Sequence, residues 1–178
     1  MNLQGRYLLA RPIINDPWFK KAVVFIYEHT PLGAAGLLLN KPTSAQMSKL
    51  QGGGLPVNFN PVYDDTLYTG GPVNEQAIIM MHTSEWFSKN TNQINKEISI
   101  SSDKFMIEKV LSGNVPKGFR CCTGMCAWHQ GQLESEINRN HWLCTKLDLS
   151  IVFDLNGHQQ WQTAIEKVAK STIDKYII

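Results

Sequence analysis

The chain has 178 residues, of which 43% are hydrophobic and 18% charged, with a formal net charge of +2. This balance fits one globular domain, 1–178, large enough to bury a core without disulfide staples. The charge is weak and scattered, with Lys20-Lys21 as its longest basic run, which argues against nucleic acid or an anionic membrane as a partner.

Tyr7-Leu8-Leu9-Ala10 is a short apolar run closed by Arg11-Pro12 and reads as a strand. Asp16-Pro17-Trp18-Phe19 is a turn or a short helical turn. Ala22 to Tyr27 is β-branched and aromatic on both faces, which predicts a buried central strand. Thr30-Pro31-Leu32-Gly33 turns it into a second strand, Ala35 to Leu39, to give a hairpin. Thr43 to Leu50 reads as a short helix capped by Thr43 or Ser44. Gln51 to Tyr63, rich in glycine and proline, reads as an irregular mobile loop. Leu67-Tyr68-Thr69 and Ala77 to Met81 are strands, and Ile98 to Ser101 alternates like an exposed strand.

Ser101 or Ser102 is positioned to cap a helix with Phe105, Ile107, Val110 and Leu111 on its apolar face, ended by Gly113. Phe119 to Ala127 is a further strand. Gln132 to Asn138 is a short helix with Leu133 and Ile137 four apart. Asp148 to Phe153 reads as a late strand. Gln159 to Lys170 is the clearest helix, with Trp161, Ile165, Val168 and Ala169 on one side and a Glu166–Lys170 pair on the other. Strands dominate and helices are inserted between them, which predicts an α+β domain with a mixed sheet curled towards a barrel.

Four glycine-anchored blocks punctuate this order: Gly33 to Pro42, Gly70-Gly71-Pro72-Val73, Gly124 to Trp128, and Gly131 to Ile137. Each places glycine where a strand end meets a tight turn. With Gly5, Leu8, Ala10, Pro12, Asp16 and Phe19 at the start, and Glu28-His29, Asn40-x-Pro42 and His82 between, they resemble the AlgH/YqgE family of bacterial proteins. Gly131-Gln132-Leu133-Glu134-x-Glu136-Ile137-x-x-Asn140-x-Trp142 is the longest match, and Phe153 and Trp161 fit the closing segment. The resemblance implies a bifurcated mixed sheet rolled into a pseudo-barrel with peripheral helices. It implies no established activity, and carries only a genetic association with transcriptional regulation. Gly124-Met125-Cys126-Ala127-Trp128 departs from the family's usual Gly-Tyr-Ala/Ser-Gly-Trp, and His129-Gln130-Gly131-Gln132 from its Gly-Pro-Gly-Gln.

The residues themselves offer little chemistry. Cys122, Cys126 and His129, with His141 and Cys144, are zinc-type ligands, but on one strand Cys122 and Cys126 would stand about 13 Å apart. That is too far for one zinc or a disulfide. Gly113 to Gly118 has the glycine spacing of a phosphate loop, yet Phe119-Arg120 replaces its lysine and hydroxyl residue. No metal or cofactor is expected. No apolar stretch approaches the ~20 residues of a membrane span, and the N-terminus lacks signal-peptide character, so the expectation is a cytoplasmic protein. The leading reading is a non-enzymatic domain that binds a protein or small molecule, with a regulatory role. Its expected site is formed by Asn40, Pro42, Gly70, Gly71, Pro72, Val73, Trp128, Gly131, Gln132 and Glu134, where glycines bare backbone N–H groups and Trp128 offers an apolar wall. The alternative is a hydrolase or transferase whose cleft joins His82, Glu134 and His29. In the bland account of these residues, Glu134 and Glu136 only favour a helix start. A second alternative is direct DNA binding.

Overall fold

Among the residues described by the computed structural model, 2–53 and 60–174, ten strands form one sheet. They are β1 (Tyr7–Ala10), β2 (Val23–Thr30), β3 (Gly33–Leu38), β4 (Pro42–Gln46), β5 (Thr66–Thr69), β6 (Val73–Thr83), β7 (Asn92–Gln93), β8 (Ile98–Ser101), β9 (Phe119–His129) and β10 (Trp142–Thr145). The helices are α1 (Lys104–Leu111), α2 (Gln132–Asn138), α3 (Leu149–Phe153) and α4 (Gly157–Asp174), with a 3₁₀ turn over Met47–Gly53. None of these helices is long and apolar enough to cross a membrane.

The sheet runs β10-β1-β2-β3-β9-β6-β8-β7 and forks at β9. The C-terminal half of β9 pairs antiparallel with β3, from Cys126 to His129. Its N-terminal half pairs antiparallel with β6 on one edge and, from Cys121 to Thr123, parallel with β5 on the other. Among the described residues, β4 pairs with β5 alone. The result is the bifurcated, curled half-barrel that the family resemblance implies.

Side-chain alternation divides the sheet between two cores. Leu9, Val23, Phe25, Leu37 and Cys122 face one core, covered by Ile151 and Val152 of α3 and Ala164 of α4. Leu8, Val24, Ile26, Leu38 and Cys126 face the other, closed by Trp128, Leu133 and Trp142. A third cluster packs Met106, Ile107, Val110 and Leu111 of α1 on Met80, Leu67 and Cys121. Covering both faces is why β1, β3 and the Val23 to Ile26 half of β2 are apolar throughout. Each fully buried leucine or valine contributes about 1.5–3 kcal/mol.

Several local expectations are corrected. Residues 43–50 begin in β4 rather than a helix, because the Thr43 hydroxyl donates to Leu67 O at 2.9 Å and the segment completes a sheet edge beside β5. Residues 149–153 are helical, not extended; Val152 N–H donates to Asp148 O, which closes a helical turn. The strand in this region is β10, paired with β1 from Trp142 to Thr145. β8 is buried on both faces, since Ser101 Oγ meets His82 Nε2 and Thr91 Oγ1, and Ser99 Oγ meets Ser84 Oγ. The α1 cap is Asp103, which accepts from Met106 N–H at 3.0 Å. In α4 the inward face is Gln160, Trp161, Ala164, Ile165 and Val168, whereas Ala169, expected on that face, is exposed. Glu166 accepts from the Gln162 amide instead of pairing with Lys170. The loop expected over 51–63 falls partly on 54–59, outside the described residues.

Candidate functional site

β9 ends at His129, and the chain turns through Gly131, whose φ of 72° is a left-handed conformation that glycine adopts without strain. Gln132 then starts α2. Its Oε1 accepts from His129 N–H at 3.1 Å and its Nε2 donates to Glu136 Oε1 at 2.9 Å. The other carboxyl oxygen of Glu136 receives two indoles: Trp128 Nε1–H at 3.0 Å and Trp142 Nε1–H at 2.7 Å. One side chain of α2 therefore ties the end of β9 to the start of β10. The two indoles stand edge to face at 6.3 Å, and Phe19 adds an edge contact to Trp142 at 5.7 Å.

These groups line a groove of about 230 Å³ whose walls also include Asp16, Ala127 and His141. Asp16 Oδ1 accepts from the backbone N–H groups of Trp18 and Phe19, which holds the outer wall in shape. Glu136→Ala is expected to cost about 2 kcal/mol, because two largely buried indole N–H groups lose their acceptor. Urea unfolding measures the loss, and a change in tryptophan emission reports the freed indoles. Glu136→Gln, which keeps one acceptor oxygen, is expected to lose less.

Glu134 stands on the same first turn, and its Oε1 accepts from His29 Nε2 at 2.8 Å. Leu3 N–H donates to His29 Nδ1 at 3.0 Å, so Nδ1 is an acceptor and the ring proton lies on Nε2. Glu134's own backbone N–H, followed by His29, holds its carboxyl below the usual range. This pair ties the N-terminal segment and β2 to α2.

The structure thus gathers Trp128, Gly131, Gln132 and Glu134 around the start of α2, with Trp128 and Gln132 on the groove itself. It places the other expected residues elsewhere. The Asn40 side chain is buried, accepts from Val23 N–H and donates to Lys21 O and Gly157 O, so it links β2 to the start of α4. Pro42 is exposed at the start of β4. Gly70 is buried, donates to Thr123 O and accepts from Leu38 N–H, and Gly71 is buried against Met125. Their N–H groups are therefore not a bare surface. Pro72 is half-buried, and Val73 is exposed opposite Met125.

His82 does not share a cleft with Glu134. Its ring is fully buried, with Nδ1 on Thr83 O and Nε2 on Ser101 Oγ, and it packs edge-on to Trp86. Burial, its largest cause, lowers its pKa from the usual 6.5. The unfolded chain then binds this proton more tightly than the folded one. Stability from neutral His82 is present above pH 6.5 and declines as pH falls towards the lower folded value. Urea midpoints are expected to drop between neutral and mildly acidic pH, and His82→Gln is expected to flatten that decline.

The cysteines are free, with Cys121, Cys122 and Cys126 buried. Burial pushes the Cys122 and Cys126 thiols up to about 12, which leaves them unreactive near neutral pH. Among the described residues no group of three or more histidine, cysteine or acidic side chains is placed to hold a metal. Glu136, Trp142, Phe19 and Asp16 belong to the groove although the site expected from the sequence omits them. The signal was present in the Gln132/Glu136 spacing of four and in Trp142 at the end of the longest motif.

Residues 7–172 match the AlgH-like family model. A UPF0301 protein of Marinomonas sp. (strain MWYL1) is 31% identical over 92% of this chain and 87% of its own length. One from Vibrio cholerae is 31% identical over 96% and 94%. The solution structure of the AlgH protein from Pseudomonas aeruginosa superposes with a TM-score of 0.76 at 27% identity, covering 93% of this chain and 88% of that one. A crystal structure of a Corynebacterium diphtheriae protein shares the fold, with a TM-score of 0.75 at 20% identity. The chain belongs to the AlgH-like family of bacterial proteins.

Proposed function

We propose that the chain is a cytoplasmic binding domain that acts in regulation by taking up a small molecule or a protein side chain in the groove at the start of α2, without turning it over. The observation that supports this reading is the Glu136 carboxyl clamp. It holds Trp128 and Trp142 in fixed orientation beside an open space, a pre-shaped wall of the kind ligand pockets use. Gln132, Asp16 and His141 supply the few polar groups that would orient a ligand.

The groove carries its own reporter, because Trp128 and Trp142 line it. Screening a library of bacterial metabolites by tryptophan fluorescence and thermal shift is expected to yield a saturable ligand that raises the melting temperature. Gln132→Ala, at an exposed position, is expected to retain the fold and lose that response. Glu134→Ala tests the adjoining rim in the same way. A ligand whose binding ignores Gln132→Ala would remove the groove from consideration. Reproducible turnover of a substrate would overturn the non-enzymatic reading.

A further inference from the structure

A different groove, of about 390 Å³, lies between α1 and the segment from Phe87 to Lys89. Phe87 is 69% exposed and forms one wall. Phe105, Glu108 and Lys109, at positions i, i+3 and i+4 of α1, form the other.

Phe87 is exposed but its segment is firmly held. Ser88 Oγ donates to Asp103 Oδ1 at 2.7 Å, and Asn90 N–H to Asp103 Oδ2 at 3.1 Å. Ser88 N–H donates to Thr91 Oγ1, and the Asn90 side chain exchanges hydrogen bonds with the backbone of Ser102. Asp103 also caps α1, so the same carboxylate fixes the helix and the segment against each other. Lys109 Nζ closes the arrangement by donating to Phe87 O. An aromatic ring held in water by this network is a pre-organised contact.

Three cations sit on the aromatic rings. Lys89 Nζ lies 3.4 Å and Lys104 Nζ 5.6 Å from the centre of Phe105. Lys109 Nζ lies 4.9 Å from Phe87 and 4.5 Å from Trp86. None of the three has a salt bridge among the described residues. Glu108 is the acidic side chain on the lining, outnumbered by Lys89 and Lys109 on the same lining and by Lys104 beside it, so ammonium groups flank both the Phe105 and the Phe87 ring.

We propose that this groove docks a short acidic segment of a partner protein, with an apolar side chain seated between Phe87 and Phe105 and carboxylates on either side of it. The distribution of charge selects this occupant. A fatty acid has one carboxylate and needs one cationic end. Here Lys89 and Lys104 mark the Phe105 end while Lys109 marks the Phe87 end, which suits negative charges spaced along a chain. Carboxylates would draw the Lys89 and Lys104 ammonium groups off the Phe105 ring and open the floor to the apolar side chain, while Lys109 meets a carboxylate from its place on Phe87 O.

The test is fluorescence anisotropy with the full chain and a fluorescein-labelled peptide of sequence EDFLDE at low ionic strength. Saturable binding is expected with a Kd below about 1 mM, weakening as salt is added. Phe87→Ser is expected to weaken it by roughly 10- to 100-fold, as the loss of one buried phenylalanine contact implies. The exposed double variant Lys89→Glu with Lys104→Glu is expected to weaken EDFLDE at least about tenfold and to improve binding of KKFLKK. Unchanged melting curves establish that these surface variants remain folded. The proposal is overturned if EDFLDE shows no saturable binding up to about 1 mM, or if EDGGDE or KKFLKK binds the unaltered chain as well. It is also overturned if Phe87→Ser has no effect, or if dodecanoate binds at this groove and the peptide does not.

Discussion

Arg120→Met is expected to lower the stability of the folded chain by about 3 kcal/mol and its melting temperature by roughly 6–12 °C. Arg120 lies on β9, only 6% exposed, yet has no carboxylate partner among the described residues. Its guanidinium charge is stabilised by hydroxyl and carbonyl dipoles instead. Nη1 donates to the Tyr68 hydroxyl at 2.6 Å, and Nη2 reaches the carbonyls of Val152, Phe153 and Leu155. The guanidinium carbon also lies 4.3 Å from the centre of the Tyr68 ring. Val152 O and Phe153 O belong to the last turn of α3, where a helix has no internal donors, and Leu155 O lies just beyond its end. Gln160 Nε2 shares the task by donating to Ile151 O and Val152 O, both at 2.8 Å. Methionine fills similar space but donates nothing, so Phe153 O, Leu155 O and the Tyr68 hydroxyl lose a partner. Arg120→Lys keeps the charge without the planar fork and is expected to lose an intermediate amount. A urea midpoint for Arg120→Met within error of the unaltered chain would refute this account of how α3 is attached.

The second large effect is expected at Gly71. A Cβ built there would lie 2.2 Å from Met125 C, 2.3 Å from Met125 O and 2.5 Å from Cys126 N. All three are backbone atoms of β9, which cannot move aside without breaking its pairing with β3 and β6. The φ of 148° adds conformational strain for any other residue. Gly71→Ala is expected to cost about 4 kcal/mol, the sum of overpacking and backbone strain. Gly131→Ala is the control. Its φ is 72°, but a Cβ there meets nothing within 4 Å, so only the left-handed backbone is penalised, by about 1–2 kcal/mol. Chemical unfolding of the two variants side by side decides the matter. Equal losses would mean that Gly71 serves its conformation alone and not the close approach to β9.

Much of the fold is legible in local patterns. The hairpin β2–β3 follows from a β-branched and aromatic run before a proline-glycine turn and an apolar run of alanine, glycine and leucine after it. α1, α2 and α4 follow from apolar spacing of three and four. Segments where local pattern and partner disagree are misread. Residues 43–50 carry cap-like Thr43 and Ser44, but β5 offers an open edge and the chain takes it. Residues 149–153 are β-branched and apolar enough for a strand, yet β1 is already paired with β10, and the carbonyls of the segment are claimed by Arg120 and Gln160 instead. Ser99 and Ser101 look solvent-facing because serine is polar, and they are buried because Ser84, His82 and Thr91 satisfy them.

The candidate site divides along the same line. Family membership, the strand-rich α+β class and the importance of Gly131 to Trp142 are all carried by residue identity and order, because turns need glycine at set positions and helix faces need a fixed spacing. The partners of those residues are not. Glu136 looks like a helix-start acid until the chain brings Trp128 from β9 and Trp142 from β10 to the same carboxyl oxygen. His82 and Glu134 look like an acid–base pair until burial ties the histidine to Ser101 and gives the glutamate to His29. Gly70 and Gly71 look like a surface of bare backbone N–H groups until β9 occupies the space they leave. Each outcome depends on long-range contacts closed by the curl and fork of the sheet. A side chain's neighbours across such a sheet come from segments tens of residues away, and local sequence carries no record of the distance between them.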